Sequence, residues 1–261
     1  MKNQKTKSIL FLGYDKFQTK IIEALEDKNC KVTHQSSSLN KISNDFDLVI
    51  SFGFKHIIKN DLLQSITAPI LNLHQSYLPW NKGAHPNFWS FWDNTPAGVT
   101  IHKIDSGIDT GPIVVQRIFE FDEKVETFRT TYEKLFTELE NLFISNIDNI
   151  VNLEFETKTQ RGSGTFHYKN DLPKEFAGWD AKILDEIKRL ESLGFSPHNE
   201  LLHLIDQIEM ARSLNNVNWM NLLRIVAVKS PEKLAEITSK INASDSQISE
   251  LFKKLSTRNK Q

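Results

Sequence analysis

Two apolar runs that each stop at a lone glycine, SILFLG (8–13) and FDLVISFG (46–53), constrain the fold more than any other feature. A run with no polar alternation leaves no face for water, so it reads as a strand covered on both sides of a parallel sheet. Between the two runs, residues 16–27 (KFQTKIIEALED) have helical periodicity and KVTHQ (31–35) reads as a second strand. Residues 56–65 look helical, and APILNLH (68–74) is a further strand. Strands alternating with helices at this spacing predict a doubly wound, mostly parallel α/β sheet. The glycine after the first strand stands alone: FLGYDKF contains no G-x-G-x-x-G, so a dinucleotide pyrophosphate finds no cradle there, and a nicotinamide enzyme is rejected.

Further along, PNFWSFWD (86–93) fits a short helix, GVTIHKI and PIVVQRIFEF fit two strands joined by DSGIDTG, and a long helix is expected over 125–149. Residues 154–172 are polar and glycine-bearing, as in an extended arm or hairpin. From about residue 180 glycine almost vanishes, and helical patterns run over 180–193, 198–214, 217–228, 231–241 and 244–256. Ser244, with Gln247 three residues on, reads as a capping box for the last of these. The predicted organisation is 1–150, 151–180 and 181–261: a main α/β domain, an arm and a small C-terminal helical module.

Bulk properties narrow the partners. The formal net charge of −1 gives no general pull toward nucleic acid or an anionic membrane. The single cysteine, Cys30, excludes an internal disulfide and a cysteine-based zinc site, and reads as a small buried residue at a strand start. The apolar segment near the N-terminus is too short for a signal-peptide core, and no stretch approaches 18 apolar residues. A cytoplasmic protein is expected.

The chemistry concentrates in ILNLHQSYLPWNKGAHPNFWS, residues 70–90. Residues two apart on a strand share a face, so Asn72 and His74 point the same way at a strand's C-terminal end, where α/β sheets hold ligands. His74 suits general acid–base work and Asn72 could donate to a developing oxyanion, although a single strand-end histidine is more often structural. The turn IDSGIDTGP (104–112) supplies Asp105 and Asp109. An aspartate near a histidine can fix its tautomer, but as bare pattern the segment reads equally as an Asx-type turn. One histidine and two aspartates are a weaker metal option, since nothing has zinc-motif spacing.

Taken together, N-x-H, S-x-L-P-x-x-x-G-x-H-P, G-V-T-I-H and D-x-G-x-D-T-G-P-I, in that order, resemble the N10-formyltetrahydrofolate-dependent formyltransferase superfamily. Within it, residues 76–116 look most like the bacterial nucleotide-sugar N-formyltransferases, and RGSGTFHYKNDL resembles the segment that follows their catalytic domain. The resemblance covers roughly residues 8–172 and implies a formyltransferase-like Rossmann variant. It implies a catalytic set of Asn72, His74 and Asp109. It also implies a folate pocket from Phe54, Lys55, His56 and Ile57, completed by Ile104 and Asp105. Trp80, Lys82 and His85 would border the sugar, while Thr165, His167, Lys169 and Asp171 on the arm would bind the nucleotide. The co-substrate implied is N10-formyltetrahydrofolate, with no metal. The acceptor implied is a nucleotide-linked amino sugar, for surface polysaccharide or glycan biosynthesis, and the assembly implied is a homodimer. Neither nucleic acid nor membrane is expected as a partner. The competing readings are a methionyl-tRNA-type or purine-precursor formyltransferase and a non-catalytic folate- or nucleotide-sugar-binding protein. The tail reads as helix and is not strongly basic, which argues against tRNA. His102 is expected to be a core or surface histidine, and Phe52, Phe54, Phe88, Phe91 and Trp92 core side chains. Trp80, in a loop, is expected to touch a ligand.

Overall fold

The computed structural model describes residues 6–162 and 164–195. Elements follow in the order β1 (Ser8–Gly13), α1 (Ile21–Asp27), β2 (Lys31–Gln35), β3 (Leu48–Phe52), α2 (Asn60–Ser65), β4 (Ile70–His74), β5 (Lys82–Gly83), α3 (Pro86–Trp92), β6 (Ala97–Lys103), β7 (Ile113–Phe119), α4 (Phe128–Ser145), α5 (Ile147–Asn152), β8 (Phe166–His167) and α6 (Ile183–Ser192). The helices expected at 198–256, and the capping box at Ser244, lie outside the described residues.

Six strands form one sheet in the order β2-β1-β3-β4-β6-β7. The first four are parallel; β6 runs antiparallel to β4, and β7 antiparallel to β6. Alternation of side chains sorts the core into two faces. Ile9 and Phe11 of β1, Leu71 and Leu73 of β4, and Val99 and Ile101 of β6 pack under α1, α4 and α5, against Leu25, Leu135, Leu139 and Phe143. Leu10, Leu12, Val49 and Ile70 face the other way, with Leu62 of α2. Asn72 and His74 therefore share the face of Ile70, and Thr100 and His102 of β6 lie opposite Val99 and Ile101. On that face the apolar packing gives way to polar side chains at the carboxyl end of β4.

Gly13 explains its own solitude. Its φ is +111°, and a Cβ there would come within 2.0 Å of the Phe52 carbonyl oxygen. The residue lets β1 close against β3, with Tyr14 N donating to Phe52 O at 2.9 Å. It serves the sheet rather than a phosphate.

Several expected boundaries move. Residues 15–19 form a turn, in which Phe17 N donates to the Asp15 carboxylate at 2.8 Å, so α1 starts only at Ile21. The helix expected from 56 starts at Asn60. The long helix is two: α4 opens on a capping box at Thr127 and ends at Asn146, whose Nδ2 turns back to Leu142 O at 2.8 Å, and α5 runs across residue 150. The arm is laid on the main body. Lys158 bridges Ile113, and β8 pairs in parallel with β5. A third cluster seats the segment after the arm: Ile183 and Leu190 of α6 pack with Phe88, Trp89, Phe91, Trp92 and Phe128. Cys30 is buried and unbridged.

Candidate active site

The reversal of strand direction between β4 and β6 brings Asn72 directly opposite His102 in register. The Asn72 amide nitrogen donates to His102 Nε2 at 3.2 Å and to Asp109 Oδ1 at 3.2 Å. Asp109 arrives from the β6–β7 loop in a left-handed conformation, φ +53°, which a short polar side chain tolerates better than most. Gln160 pins that loop: its Nε2 donates to the Asp109 and Gly111 carbonyls at 2.7 and 2.8 Å. The Asp109 carboxylate lies 3.7 Å from His74 Nε2 and 3.4 Å from His102 Nε2, and its Oδ2 accepts from Gly83 N at 2.9 Å.

Hydrogen-bond chemistry fixes the tautomers. A carbonyl only accepts, so His74 Nε2, 3.1 Å from Asn81 O, carries a proton and leaves its lone pair on Nδ1. His102 Nδ1 likewise donates to Lys103 O at 2.9 Å, leaving Nε2 to accept from Asn72. Burial pushes the His74 pKa below its ordinary 6.5, with His102 adding to the effect against the pull of Asp109 and the Asn81 carbonyl. The ring is therefore neutral at neutral pH. Burial also works to raise the Asp109 carboxyl, but the contacts around it, the Gly83 N–H among them, outweigh burial and hold it well below the usual carboxylate range. With His74 neutral, Gly83 N–H and the Asn72 amide are the donors that meet the Asp109 charge.

Asn72, His74, His102 and Asp109 open into one cavity of about 570 Å³. Its other walls include all six residues expected to hold folate: Phe54, Lys55, His56 and Ile57 from the loop after β3, and Ile104 and Asp105 from the loop after β6. Ile57 and Ile108 present exposed apolar side chains, suited to the flat face of a heterocycle. Asp105 is held by its own loop, accepting from Gly107 N and the Thr110 hydroxyl. Lys169 of the arm also lines this cavity. A second cavity of about 350 Å³ shares Gln75 and Pro86 with the first and is walled by His85, Arg129, Tyr132 and Trp179. His85, in a left-handed conformation, meets Trp179 at 5.5 Å between ring centroids.

Of the other expected contact residues, Trp80 and His167 turn inward, while Thr165, Asp171 and Lys82 are engaged by their own surroundings. Trp80 is only 3% exposed, because its loop folds back on itself (Trp80 N to Tyr77 O, 3.1 Å) and the indole is covered. His167 is 5% exposed, stacked on Trp89 and paired with Asp93. The Thr165 hydroxyl is engaged by Asn81, donating to Oδ1 at 3.0 Å and accepting from its N–H at 2.8 Å. Asp171 accepts from Tyr168 N at 2.6 Å, closing a single 3-10 turn. Lys82 lies half-buried in β5, in register with Phe166. His102, expected as a core or surface histidine, is buried and belongs to the polar cluster. Its signal was its spacing from Thr100, which sets it on the face away from Val99 and Ile101. Asn81 and Gln160 carry no such signal. Phe52, Phe88, Phe91 and Trp92 are buried as expected; Phe54 is half-buried and lines the cavity. Among the described residues no group of three or more His, Cys, Asp or Glu is arranged to hold a metal ion, and no helix is long and apolar enough to cross a membrane.

The sheet is mostly parallel, and its direction reverses beside an amide donor, a neutral imidazole and an ionised carboxylate. The chain belongs to the formyl transferase family, whose sequence pattern matches residues 11–147. Among solved structures it is similar to the formyltransferase PseJ from Anoxybacillus kamchatkensis, crystallised with UDP-4,6-dideoxy-4-formamido-L-AltNAc and tetrahydrofolate. The two are 39% identical with a TM-score of 0.63, over 69% of this chain and 97% of that one. A dTDP-4-amino-4,6-dideoxyglucose formyltransferase from Mycobacterium tuberculosis is 30% identical over 132 residues, 51% of this chain and 55% of the relative. A methionyl-tRNA formyltransferase from Rickettsia massiliae is 32% identical over 145 residues, 52% of this chain and 44% of the relative. The chain thus spans about half the length of these two curated relatives.

Proposed function

We propose that this protein transfers the formyl group of N10-formyltetrahydrofolate to the amine of a nucleotide-diphosphate-linked deoxyamino sugar, a dTDP- or UDP-linked 4-amino or 3-amino-6-deoxyhexose destined for a surface polysaccharide or glycan. The observation that carries the reading is the convergence of Asn72, His74 and Asp109 on the cavity walled by the six residues expected to hold folate. The likeness to PseJ over nearly its whole length favours a UDP-linked 4-amino sugar as the first acceptor to test. The reaction is read as cytoplasmic and the assembly as a homodimer, with no nucleic acid or membrane partner.

In this reading the formyl carbon sits beside Asn72. The sugar nitrogen forms a bond to that carbon, and its oxygen gains negative charge. Asn72 donates one N–H to the oxygen by giving up its bond to His102 or Asp109. His74 takes the amine proton on Nδ1, since Nε2–H stays committed to Asn81 O, and Asp109 stabilises the imidazolium so formed. The carbon–N10 bond then breaks and the proton passes to N10. Phe54, Ile57 and Ile104 supply apolar walls for the pterin, and Lys169 a cation for the acceptor's diphosphate. Trp80, Lys82, His85, Thr165, His167 and Asp171 complete the residues first assigned to the acceptor. Of these, His85 has the cavity position best suited to direct contact, while Thr165 and His167 support the strip that holds the site.

Mass spectrometry of dTDP- and UDP-linked 3- and 4-amino-6-deoxy sugars, each incubated with the protein and N10-formyltetrahydrofolate, tests this. A folate-dependent gain of one formyl group on a single sugar is the expected result. No gain on any sugar, with formylation of methionyl-tRNA or a purine precursor instead, would overturn the acceptor assignment.

A further inference from the structure

The residues that orient the catalytic pair form a short strip. Asn81 O receives His74 Nε2–H, and two residues on, Gly83 N donates to Asp109. The strip has little structure of its own and is held from behind by β8. Asn81 N donates to the Thr165 hydroxyl at 2.8 Å, Lys82 N to Thr165 O at 3.0 Å, and Ala84 N to His167 O at 2.9 Å. The approach is so close that a Cβ on Gly83 would fall 2.3 Å from His167 O. β8 is itself only two residues long. What anchors it is the His167 side chain, which reaches into the third core cluster.

That anchor is a buried pair that the formyl-transfer chemistry does not use. His167 Nε2 lies 2.8 Å from Asp93 Oδ2, with both side chains at most 5% exposed. The imidazole lies flat on Trp89, ring centroids 3.9 Å apart and planes within 6°. Asp93 caps the C-terminus of α3, its N–H bonded to Trp89 O at 2.8 Å, so its carboxylate is fixed to a helix packed on all sides. Among the described residues neither oxygen of that carboxylate, nor His167 Nε2, has a hydrogen bond of good geometry, so the two buried groups have only each other, at 2.8 Å. A buried carboxylate with a single facing group ties that group firmly in place, because leaving it alone is costly.

We propose that Asp93 and His167 are positioning residues for the reaction: they fix β8 to α3, and through β8 they set the Asn81 carbonyl and the Gly83 amide that aim His74 and Asp109. The kinetic half of this inference rests on the formyl-transfer reading; the geometric half does not.

The test uses the full chain carrying two substitutions, Asp93→Asn with His167→Phe. The phenyl ring keeps the stack on Trp89, and the amide removes the charge that would otherwise be left alone. A single Asp93→Asn variant keeps a polar partner for His167. The structural readout is the 15N spectrum of the histidine rings, with the His74 signals assigned by their loss in His74→Gln. The expected result for the double variant is a Tm close to that of the parent and a His74 signal no longer confined to the Nε2–H tautomer. Its kcat should fall about tenfold with the formyl-donor KM within twofold, and Asp93→Asn alone should recover most of the rate. A folded double variant with the parent's His74 tautomer overturns the inference, whether or not an acceptor has been found. So does a parent-like kcat measured on any acceptor that the parent formylates. If the parent formylates nothing, the function reading fails and the 15N spectrum still decides this one. Should the double variant not fold, Asp93→Leu, which offers His167 no acceptor, decides in its place, and an unchanged His74 signal there overturns the inference.

Discussion

β3 and β6 lie one strand apart in the same sheet and are almost equally buried, yet they do opposite work. All five residues of β3, LVISF, are buried and only Ser51 is polar. Six of the seven residues of β6, AGVTIHK, are buried, and two of those are Thr100 and His102. Both are satisfied: the Thr100 hydroxyl donates to Ser76 O at 2.7 Å and accepts from Leu78 N at 3.2 Å, while His102 spans Lys103 O and Asn72. Burial alone therefore does not mark a strand as scaffold. In β3 it removes apolar surface from water; in β6 it strengthens polar contacts by excluding water from around them. The seam between β4 and β6, where direction reverses, is where the second use begins.

The comparison breaks most visibly at the seam's charged end. His74→Ala and Asp109→Ala should each lower kcat by about 10³–10⁴-fold, the upper range for lost acid–base groups, while thermal unfolding stays cooperative. Substantial residual turnover in either variant would return the pair to a structural role. Asn72→Ala should cost about 10²–10³-fold in kcat, as expected for one lost oxyanion donor. An effect confined to KM would instead make it a binding residue. On the scaffold side, Ile50→Ala in β3 should destabilise the fold by about 3 kcal/mol through cavity formation and leave kcat per folded molecule unchanged. A lowered kcat there would blur the distinction between the strands. Acid should act on the seam before the scaffold. Because burial depresses His74 below 6.5, the folded state binds fewer protons than the unfolded state, and stability declines as pH falls through that value toward the folded pKa. Denaturant midpoints between pH 7.5 and 5 should show this slope, and His74→Gln should flatten it. Smallest of all, Lys169→Ala should raise the acceptor KM several-fold with kcat nearly intact, by initial rates.

What could be read in the sequence follows the same division. The apolar runs ending at Gly13 and Gly53 announce strands covered on both sides, because no wet face can be built from them. Asn72 and His74 are legible because period two and the strand's end place them together without any distant information. Asp109 needed the family resemblance, since a turn of Asp and Gly has a local explanation of its own. His102 is buried, one of the two places its sequence allows, and its part in the polar cluster shows only once its neighbour across the strands, Asn72, is known. The burial of Trp80 and His167 is hidden for a related reason. Whether a loop aromatic meets solvent or a helix depends on chain that packs over it, and for His167 that partner is Asp93, far away in sequence. The breaks in the helices were likewise hidden. Asn146 ends α4 with its own side chain, a choice that periodicity does not report.

The strip from Asn81 to Ala84 is completed by Thr165, 84 residues later in the chain. A polypeptide emerging from its N-terminus has every strand of the main sheet, through Phe119, before it has the segment that closes the strip. Contacts across such separations form late, because a long loop must close before they repay its lost freedom. During synthesis the aim of the site therefore waits on a segment that emerges after every strand of the main sheet.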